Sequence, residues 1–264
     1  MSNDSFKERY GPWALVTGAS SGIGRAFAER LAGKGVNVVL LARRAQRLDE
    51  LDARLRQQHG VEANICVTDL AVSDAARRIL DTTDGLDIGL LVSNAGFGLK
   101  GEHAGNDPKA MADMLMVNCQ APMLLTHGFI PRLRRRGRGG IILTSSVEGL
   151  IGCPYSTVYS ATKAFVNSLG EGLWAELAPD DIQVLTICPG ATDTEAAALQ
   201  GIDLRKLQNV MMPEEVVDLA LAHLGDGPTC ITSEHYRAQF EPLLALPRRS
   251  ALMAMARSMK PQKS

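Results

Sequence analysis

Aromatic residues make up only 5% of this 264-residue sequence, so its core has to be built from Val, Leu, Ile and Ala. Cysteine is scarce and scattered. Cys66, Cys119, Cys153, Cys188 and Cys230 stand singly, with no C-x-x-C pair and no metal-ligand spacing. That argues against a disulfide scaffold or a zinc module and fits reduced thiols in a cytoplasmic protein with no metal. An excess of one charge is missing as well. A net charge of −1 provides no field to draw the chain to nucleic acid or to an anionic membrane. No uncharged run reaches the ~20 residues that would span a bilayer. Residues 1–11 are polar and lack the apolar stretch of an export signal. There is no internal repeat, low-complexity tract or Pro/Gly-rich linker to suggest more than one folded unit.

What is present is an alternation of short apolar runs with helix-like stretches. Candidate strands are Trp13–Thr17, Val36–Leu41, Ala63–Val67, Gly89–Ser93, Gly140–Thr144 and Gln183–Cys188, with a weaker seventh at Cys230–Thr232. Several are continuous Val/Leu/Ile runs, the pattern of parallel strands covered on both faces. Helical stretches lie between them at Ile23–Gly33, Ala45–Gln58, Ser73–Thr82, Pro108–Arg136, Tyr155–Leu177 and Pro213–Leu224. The alternation predicts an α/β, doubly wound fold with a mostly parallel sheet of about seven strands and helices on both faces. It divides the chain into an N-terminal arm (1–12), a main α/β domain (13–239) and a C-terminal amphipathic tail (240–264).

The first strand runs directly into Thr17-Gly18-Ala19-Ser20-Ser21-Gly22-Ile23-Gly24, which then opens a helix. In that position a glycine-rich turn suits dinucleotide binding. Glycine lets the backbone close tightly against a pyrophosphate, and the helix start offers unpaired N–H groups and partial positive charge. Gly18, Ser20, Ser21, Gly22, Ile23 and Gly24 are therefore candidate cofactor contacts. The same residues also match G-x-S-x-G, the nucleophile elbow of serine hydrolases, with Ser20 as nucleophile. Here, however, no earlier strand is present to supply the second oxyanion-hole amide. A third alternative is a dinucleotide-binding regulator without turnover.

The second strand ends Leu40-Leu41-Ala42-Arg43-Arg44. An NAD-binding fold usually carries an acid about 20 residues beyond the glycine turn, to hold the ribose 2′-hydroxyl. Ala42 and Arg43 stand there instead. A guanidinium grips a 2′-phosphate that a carboxylate would repel, so the expected cofactor is NADP(H). The plain alternative is that Arg43, Arg44 and Arg47 begin a solvated basic helix.

Tyr159 and Lys163 lie four residues apart, on one face of a helix, with Ser146 thirteen residues upstream of the tyrosine. A phenol titrates near pH 10, and a neighbouring ammonium favours its ionised form. A tyrosine brought toward the working pH can pass a proton to a carbonyl or take one from an alcohol.

Taken together, these motifs resemble the short-chain dehydrogenase/reductase family in its shorter single-domain form, over about Trp13 to Leu224. The resemblance rests on Thr17, Gly18, Gly22 and Gly24; on Asp69 before Leu70; on Asn94-Ala95-Gly96 after the fourth strand; on Asn118; on Ser146, Tyr159 and Lys163; and on Pro189-Gly190. It implies a Rossmann fold. It also implies an oxidoreductase that interconverts a ketone or aldehyde and an alcohol by hydride transfer. Ser146 polarises the substrate oxygen and Tyr159 exchanges the proton with it. Lys163 lowers the Tyr159 pKa and holds the nicotinamide ribose, while Asn118 helps a water connect Lys163 to solvent. Asp69 and Leu70 belong to the adenine pocket, and Thr192 contacts the nicotinamide amide or phosphates. Such proteins commonly form homodimers or homotetramers, here through the two long helices. Ala164, Phe165, Ser168, Leu169, Gly172 and Leu173 are the candidate contacts on the second of these.

Some features stay outside this frame. Arg132, Arg134, Arg135, Arg136 and Arg138 read as a solvated helix end, with nucleic-acid binding the weaker reading. His103 and Glu148 are candidates for the pocket mouth. In the tail, Leu252, Met255 and Met259 recur at helical spacing. A lid or subunit-packing helix is the first reading and membrane contact the second. Substrate selection falls to 192–212 with Phe97 and Tyr155.

Overall fold

The computed structural model describes residues 2–200 and 202–259; Lys260 and the rest of the expected tail to 264 lie outside the described residues. In chain order the elements are α1 (Asn3–Tyr10), β1 (Trp13–Thr17), α2 (Gly22–Gly33), β2 (Asn37–Ala42), α3 (Ala45–His59), β3 (Ala63–Val67), α4 (Ala75–Thr82), β4 (Ile88–Ser93), α5 (Pro108–Leu115), α6 (Ala121–Arg136), β5 (Gly139–Thr144), α7 (Thr157–Leu177), β6 (Ile182–Cys188), α8 (Glu195–Leu199), α9 (Pro213–Ala222), β7 (Thr229–Ile231), α10 (Glu234–Ala245) and α11 (Arg248–Ser258). Seven parallel strands form one sheet in the order β3-β2-β1-β4-β5-β6-β7.

The apolar runs alternate sides, as a period of two requires. Ala14 and Val16 of β1 pack with Phe27 and Leu31 of α2, Leu48 and Leu51 of α3, and Val216 of α9. Trp13 and Leu15 face the other way, toward Ile79 of α4, Leu125 and Phe129 of α6, and Leu173 of α7. The sheet is thus covered on both faces, and few aromatics are needed because the strands supply Val, Leu and Ile in both directions. The strand order reverses between β1 and β4. The connections that follow them leave to opposite faces, β1 into α2 and β4 toward α5 and α6, and between them lies the crevice in which open α/β sheets bind ligands.

Three elements depart from the expectations. The arm 1–12 contains helix α1, capped by the Ser2 hydroxyl and anchored by Phe6 and Tyr10, four residues apart and both buried. The Tyr10 hydroxyl reaches Gln183 of β6. The stretch Pro108–Arg136 is not one helix, because a π-turn at Met116–Gln120 separates α5 from α6. Pro122 has no N–H to give the carbonyl four residues back, so the α-helical ladder is interrupted at Asn118.

The tail forms two helices, and the expected break at 239/240 falls inside α10. Phe240, Ala251 and Met255 bury against Val147, Ile151 and Cys153, and Leu252 and Met259 lie beside them. This wall stands on the segment that joins β5 to α7. Among the described residues, no helix is long and apolar enough to cross a membrane.

Candidate active site

The glycine turn is closed from both sides of the crevice. Gly18 has φ +72°, and a Cβ at Gly24 would stand 2.3 Å from the Gly18 carbonyl oxygen and 2.6 Å from Asn94 Nδ2. Only hydrogen fits where the turn folds onto itself. The Thr17 hydroxyl accepts from the backbone N–H groups of Asn94 (2.8 Å) and Ala95 (2.9 Å), and Asn94 Nδ2 donates to the Thr17 carbonyl at 3.2 Å. The ends of β1 and β4 are therefore tied together, with the start of α2 facing the crevice. This bare, backbone-lined cradle fits a dinucleotide pyrophosphate. Ile23 packs against the core behind it. Asp69 spends one carboxylate oxygen on the Ala71 N–H (3.0 Å), and Leu70 is buried.

The next turn of the crevice holds the proton-transfer candidates. The backbone of Gly96 lies against Lys163 Nζ, which would stand 3.2 Å from a Cβ there. Asn118 is buried in the π-turn, and its bonds are long-range rather than local. Its Oδ1 accepts from the Phe97 N–H at 3.1 Å, and its Nδ2 donates to the Phe97 carbonyl (2.9 Å) and to Thr162 Oγ1 (3.0 Å). It joins the loop after β4 to α7. The two adjacent serines are separated by their partners. Ser145 donates to the Lys163 carbonyl at 2.8 Å, whereas Ser146 Oγ accepts from the Glu148 N–H at 3.2 Å. That leaves the Ser146 hydroxyl proton for the Tyr159 oxygen beside it or for a ligand oxygen. Lys163 Nζ donates to the Thr144 carbonyl at 2.8 Å.

The electrostatics of Tyr159 differ from expectation. Its phenol is raised above the ordinary value, first by burial and then by the Glu148 carboxylate, while the Ser146 hydroxyl acts in the opposite direction. Lys163 is spent on Thr144 and does not overturn this. In the free protein Tyr159 holds its proton, which suits donation to a carbonyl. Burial lowers Lys163 to about 8. The nearby thiols are not nucleophiles, because burial pushes both Cys153 and Cys188 up to about 12.

Sequence reading underweighted one cluster and missed another. Lys100, four residues past Gly96, donates to both Glu148 oxygens (2.6 and 2.8 Å) and to Ser156 Oγ (2.9 Å). Its ammonium lies 5.5 Å from the Tyr159 ring centroid, and that of Lys163 lies 5.7 Å away. Glu148 was a pocket-mouth candidate; Lys100 was signalled only by following the Asn-Ala-Gly turn. Gln200, just past α8, and the Tyr159 ring both lie against Gly98, since a Cβ there would meet Gln200 Oε1 at 2.8 Å and Tyr159 Cδ2 at 3.0 Å. His103 sits in a short 3-10 turn with its side chain exposed.

At the far end of the cradle Arg43 is exposed and has no carboxylate partner among the described residues. Arg44 is exposed as well, but it reaches across to the cradle instead of standing in solvent as the start of a basic helix. It donates to Ser20 Oγ (2.9 Å) and Ser21 Oγ (2.8 Å), and to Glu195 at 2.7 Å. Ser20 therefore faces a guanidinium, which cannot take its proton, so the hydrolase alternative finds no base there. Pro189 accepts from the Val147 N–H at 3.0 Å, Gly190 packs under Tyr236, and Thr192 is buried and bridged to Met211. Residues 191–211 thus form a loop pinched at its base.

Known proteins share this fold and sequence. A family model described as short chain dehydrogenase matches residues 12–203. A 7beta-hydroxysteroid dehydrogenase of Clostridium sardiniense is 30% identical over 96% of this chain and 97% of its own. A short-chain dehydrogenase from Sphingobium yanoikuyae, solved in complex with NADPH, is 33% identical with a TM-score of 0.82, covering 96% of this chain and 98% of that one. A bulky-bulky ketone specific alcohol dehydrogenase from Comamonas testosteroni is 32% identical with a TM-score of 0.77, covering 96% of each. With a doubly wound parallel sheet, a glycine cradle at its switch point and this degree of likeness over the full length, the chain belongs to the short chain dehydrogenase family.

Proposed function

We propose that the protein is an NADP(H)-dependent oxidoreductase interconverting a ketone or aldehyde and an alcohol. The observation that carries the reading is the contiguous crevice. The Gly18–Gly24 turn, the Asn94–Gly96 turn and the Ser146, Tyr159 and Lys163 side chains line one path along the strand ends. When bound, the nicotinamide supplies or accepts the hydride. Tyr159, held protonated, donates to the carbonyl oxygen in reduction and takes the proton back in oxidation. Ser146 donates a hydrogen bond to that oxygen. Lys163 is placed to hold the nicotinamide ribose, and Asn118 keeps the β4 loop and α7 in register around it. A regulator without turnover would not require Ser146, Tyr159 and Lys163 together.

For the cofactor, the exposed Arg43 and, at Ser20, Arg44, with Ala42 where an acid would sit, support NADP(H) over NAD(H). Gly18, Ser20, Ser21, Gly22, Ile23 and Gly24 contact the pyrophosphate and adenosine half. Asp69 and Leu70 border the adenine; Asn94, Ala95, Gly96, Pro189, Gly190 and Thr192 border the nicotinamide half. Relatives named for hydroxysteroids and bulky ketones support a lipophilic, bulky substrate. The test is a panel of steroid, 3-oxoacyl and bulky aryl ketones and alcohols with each cofactor, read by absorbance of the reduced nicotinamide. Turnover with NADPH well above that with NADH is expected. Turnover of none of the panel, or equal use of both cofactors, overturns the corresponding part.

We further propose a homodimer or homotetramer through α6 and α7. Ala164, Phe165, Ser168 and Gly172 are exposed along α7, with Met123 exposed on α6, whereas Leu173 belongs to the core and Leu169 lies against it. Light scattering at micromolar protein should report a multiple of the chain mass. The five free thiols support a reducing compartment, the cytoplasm.

A further inference from the structure

The cavity along the cradle is lined by carboxylates and guanidinium groups together. Arg25 and Arg54 are both matched by Glu29, at 3.0 and 2.6 Å. Arg44 and Arg47 are both matched by Glu195, at 2.7 Å for Arg44 and still closer for Arg47. Glu195 is the first residue of α8, 151 residues from Arg44 in the chain. Its carboxylate is held down at about 2 by the two arginines. The same Arg44 reaches Ser20 and Ser21 of the cradle, so an internal carboxylate occupies a guanidinium that borders it. The contact also sets the loop. Beside Glu195 the methyl of Thr194 rests on Gly22, and at the other end of α8 Gln200 closes on Gly98.

We infer that Glu195 is an internal competitor for the 2′-phosphate of NADP(H): it neutralises Arg44 and Arg47 in the free protein, and the phosphate must displace it to bind. This rests on the NADP(H) reading above and deepens it. A phosphate dianion presents more charge and more acceptor oxygens to the two guanidinium groups than a carboxylate does, so it can displace Glu195. A cofactor without that phosphate has nothing to offer the arginines and leaves Glu195 in place. Arg43, which has no carboxylate partner among the described residues, is the first cation the phosphate meets. Displacement also frees the N-terminal end of α8, so that reading the phosphate loosens the loop whose far end closes on Gly98. Glu195 thereby lowers the affinity for NADP(H) while tying its binding to opening of the loop.

The test uses the full chain and two probes without a nicotinamide, 2′,5′-ADP and 5′-ADP, titrated calorimetrically into wild type and Glu195→Gln. Glutamine keeps the size and removes the charge. The two exposed ion pairs predict that the variant binds 2′,5′-ADP about three- to tenfold more tightly. Its affinity for 5′-ADP should be unchanged. Affinity for 2′,5′-ADP that is unchanged or weaker in the variant, alongside a retained preference over 5′-ADP, overturns the competition and leaves the cofactor reading standing. Equal binding of the two probes by both proteins overturns the cofactor reading itself. A second readout is trypsin cleavage after the exposed Arg205 and Lys206 of the same loop. 2′,5′-ADP should speed it in wild type, and Glu195→Gln should be cut fast without ligand. Slow cleavage of the unliganded variant, at the wild-type rate, overturns the role of Glu195 in holding the loop.

Discussion

Lys100 stands 5.5 Å from the centre of the Tyr159 ring, as near as Lys163, yet its charge is matched by Glu148. The pair therefore presents the phenol with a carboxylate as well as an ammonium, and the carboxylate raises the tyrosine's proton affinity. Glu148→Gln removes that influence and leaves the Lys100 ammonium unmatched beside the ring. Both changes favour phenolate. The pH at which alcohol oxidation reaches half its maximum should move lower in the variant. A profile that stays in place or moves higher would show that Glu148 does not govern Tyr159.

Tyr159→Phe keeps the ring in its packing and removes the proton. Turnover of an identified substrate should fall by about 10²–10⁴-fold, the range for a lost general acid. Cofactor affinity, followed by quenching of protein fluorescence, should hold. A variant as fast as wild type would sink the proton-transfer role.

Lys163 yields a prediction about stability. Burial lowers it to about 8 from the ordinary 10.5. Between those values the unfolded chain binds a proton that the folded chain has released, so unfolding becomes harder as pH rises through this window. Below it both states are charged, and the folded protein carries the full cost of the buried ammonium. Lys163→Met lacks this term. Urea unfolding without cofactor should show wild type gaining stability relative to the variant between pH 8 and pH 10. A relative loss over that range would contradict the lowered value.

Met255 of α11 is 9% exposed, packed with Phe240 and Ala251 against Val147 and Ile151. Met255→Ala opens a cavity there and should cost about 2–5 kcal/mol in urea unfolding. Because the same wall backs the segment between Ser146 and Tyr159, KM for bulky substrates should rise while 5′-ADP affinity stays constant. An unchanged stability would mean that the tail packs elsewhere in solution.

The strand–helix alternation, the glycine turn and the Ser146, Tyr159 and Lys163 spacing were legible in the sequence because each is local. Short continuous apolar runs name strands, a four-residue interval names a helix face, and a glycine after a strand names a turn. Strand ranges accordingly agree with the sheet to within a residue. The π-turn at Asn118 was in principle readable from Pro122, whose missing N–H breaks the ladder. The rest was decided only in three dimensions. No local pattern couples Arg44 to Glu195 across 151 residues, turns Lys163 toward the Thr144 carbonyl, or sets Lys100 and Glu148 beside Tyr159. The proton affinity of Tyr159 depends on burial and on charges brought in by other loops, so a helical tyrosine–lysine pair names candidate residues but not the sign of the shift. The tail shows the same division: its apolar spacing foretold a helix, whereas the surface it covers was settled by the packing of α10 and α11 on the segment joining β5 to α7.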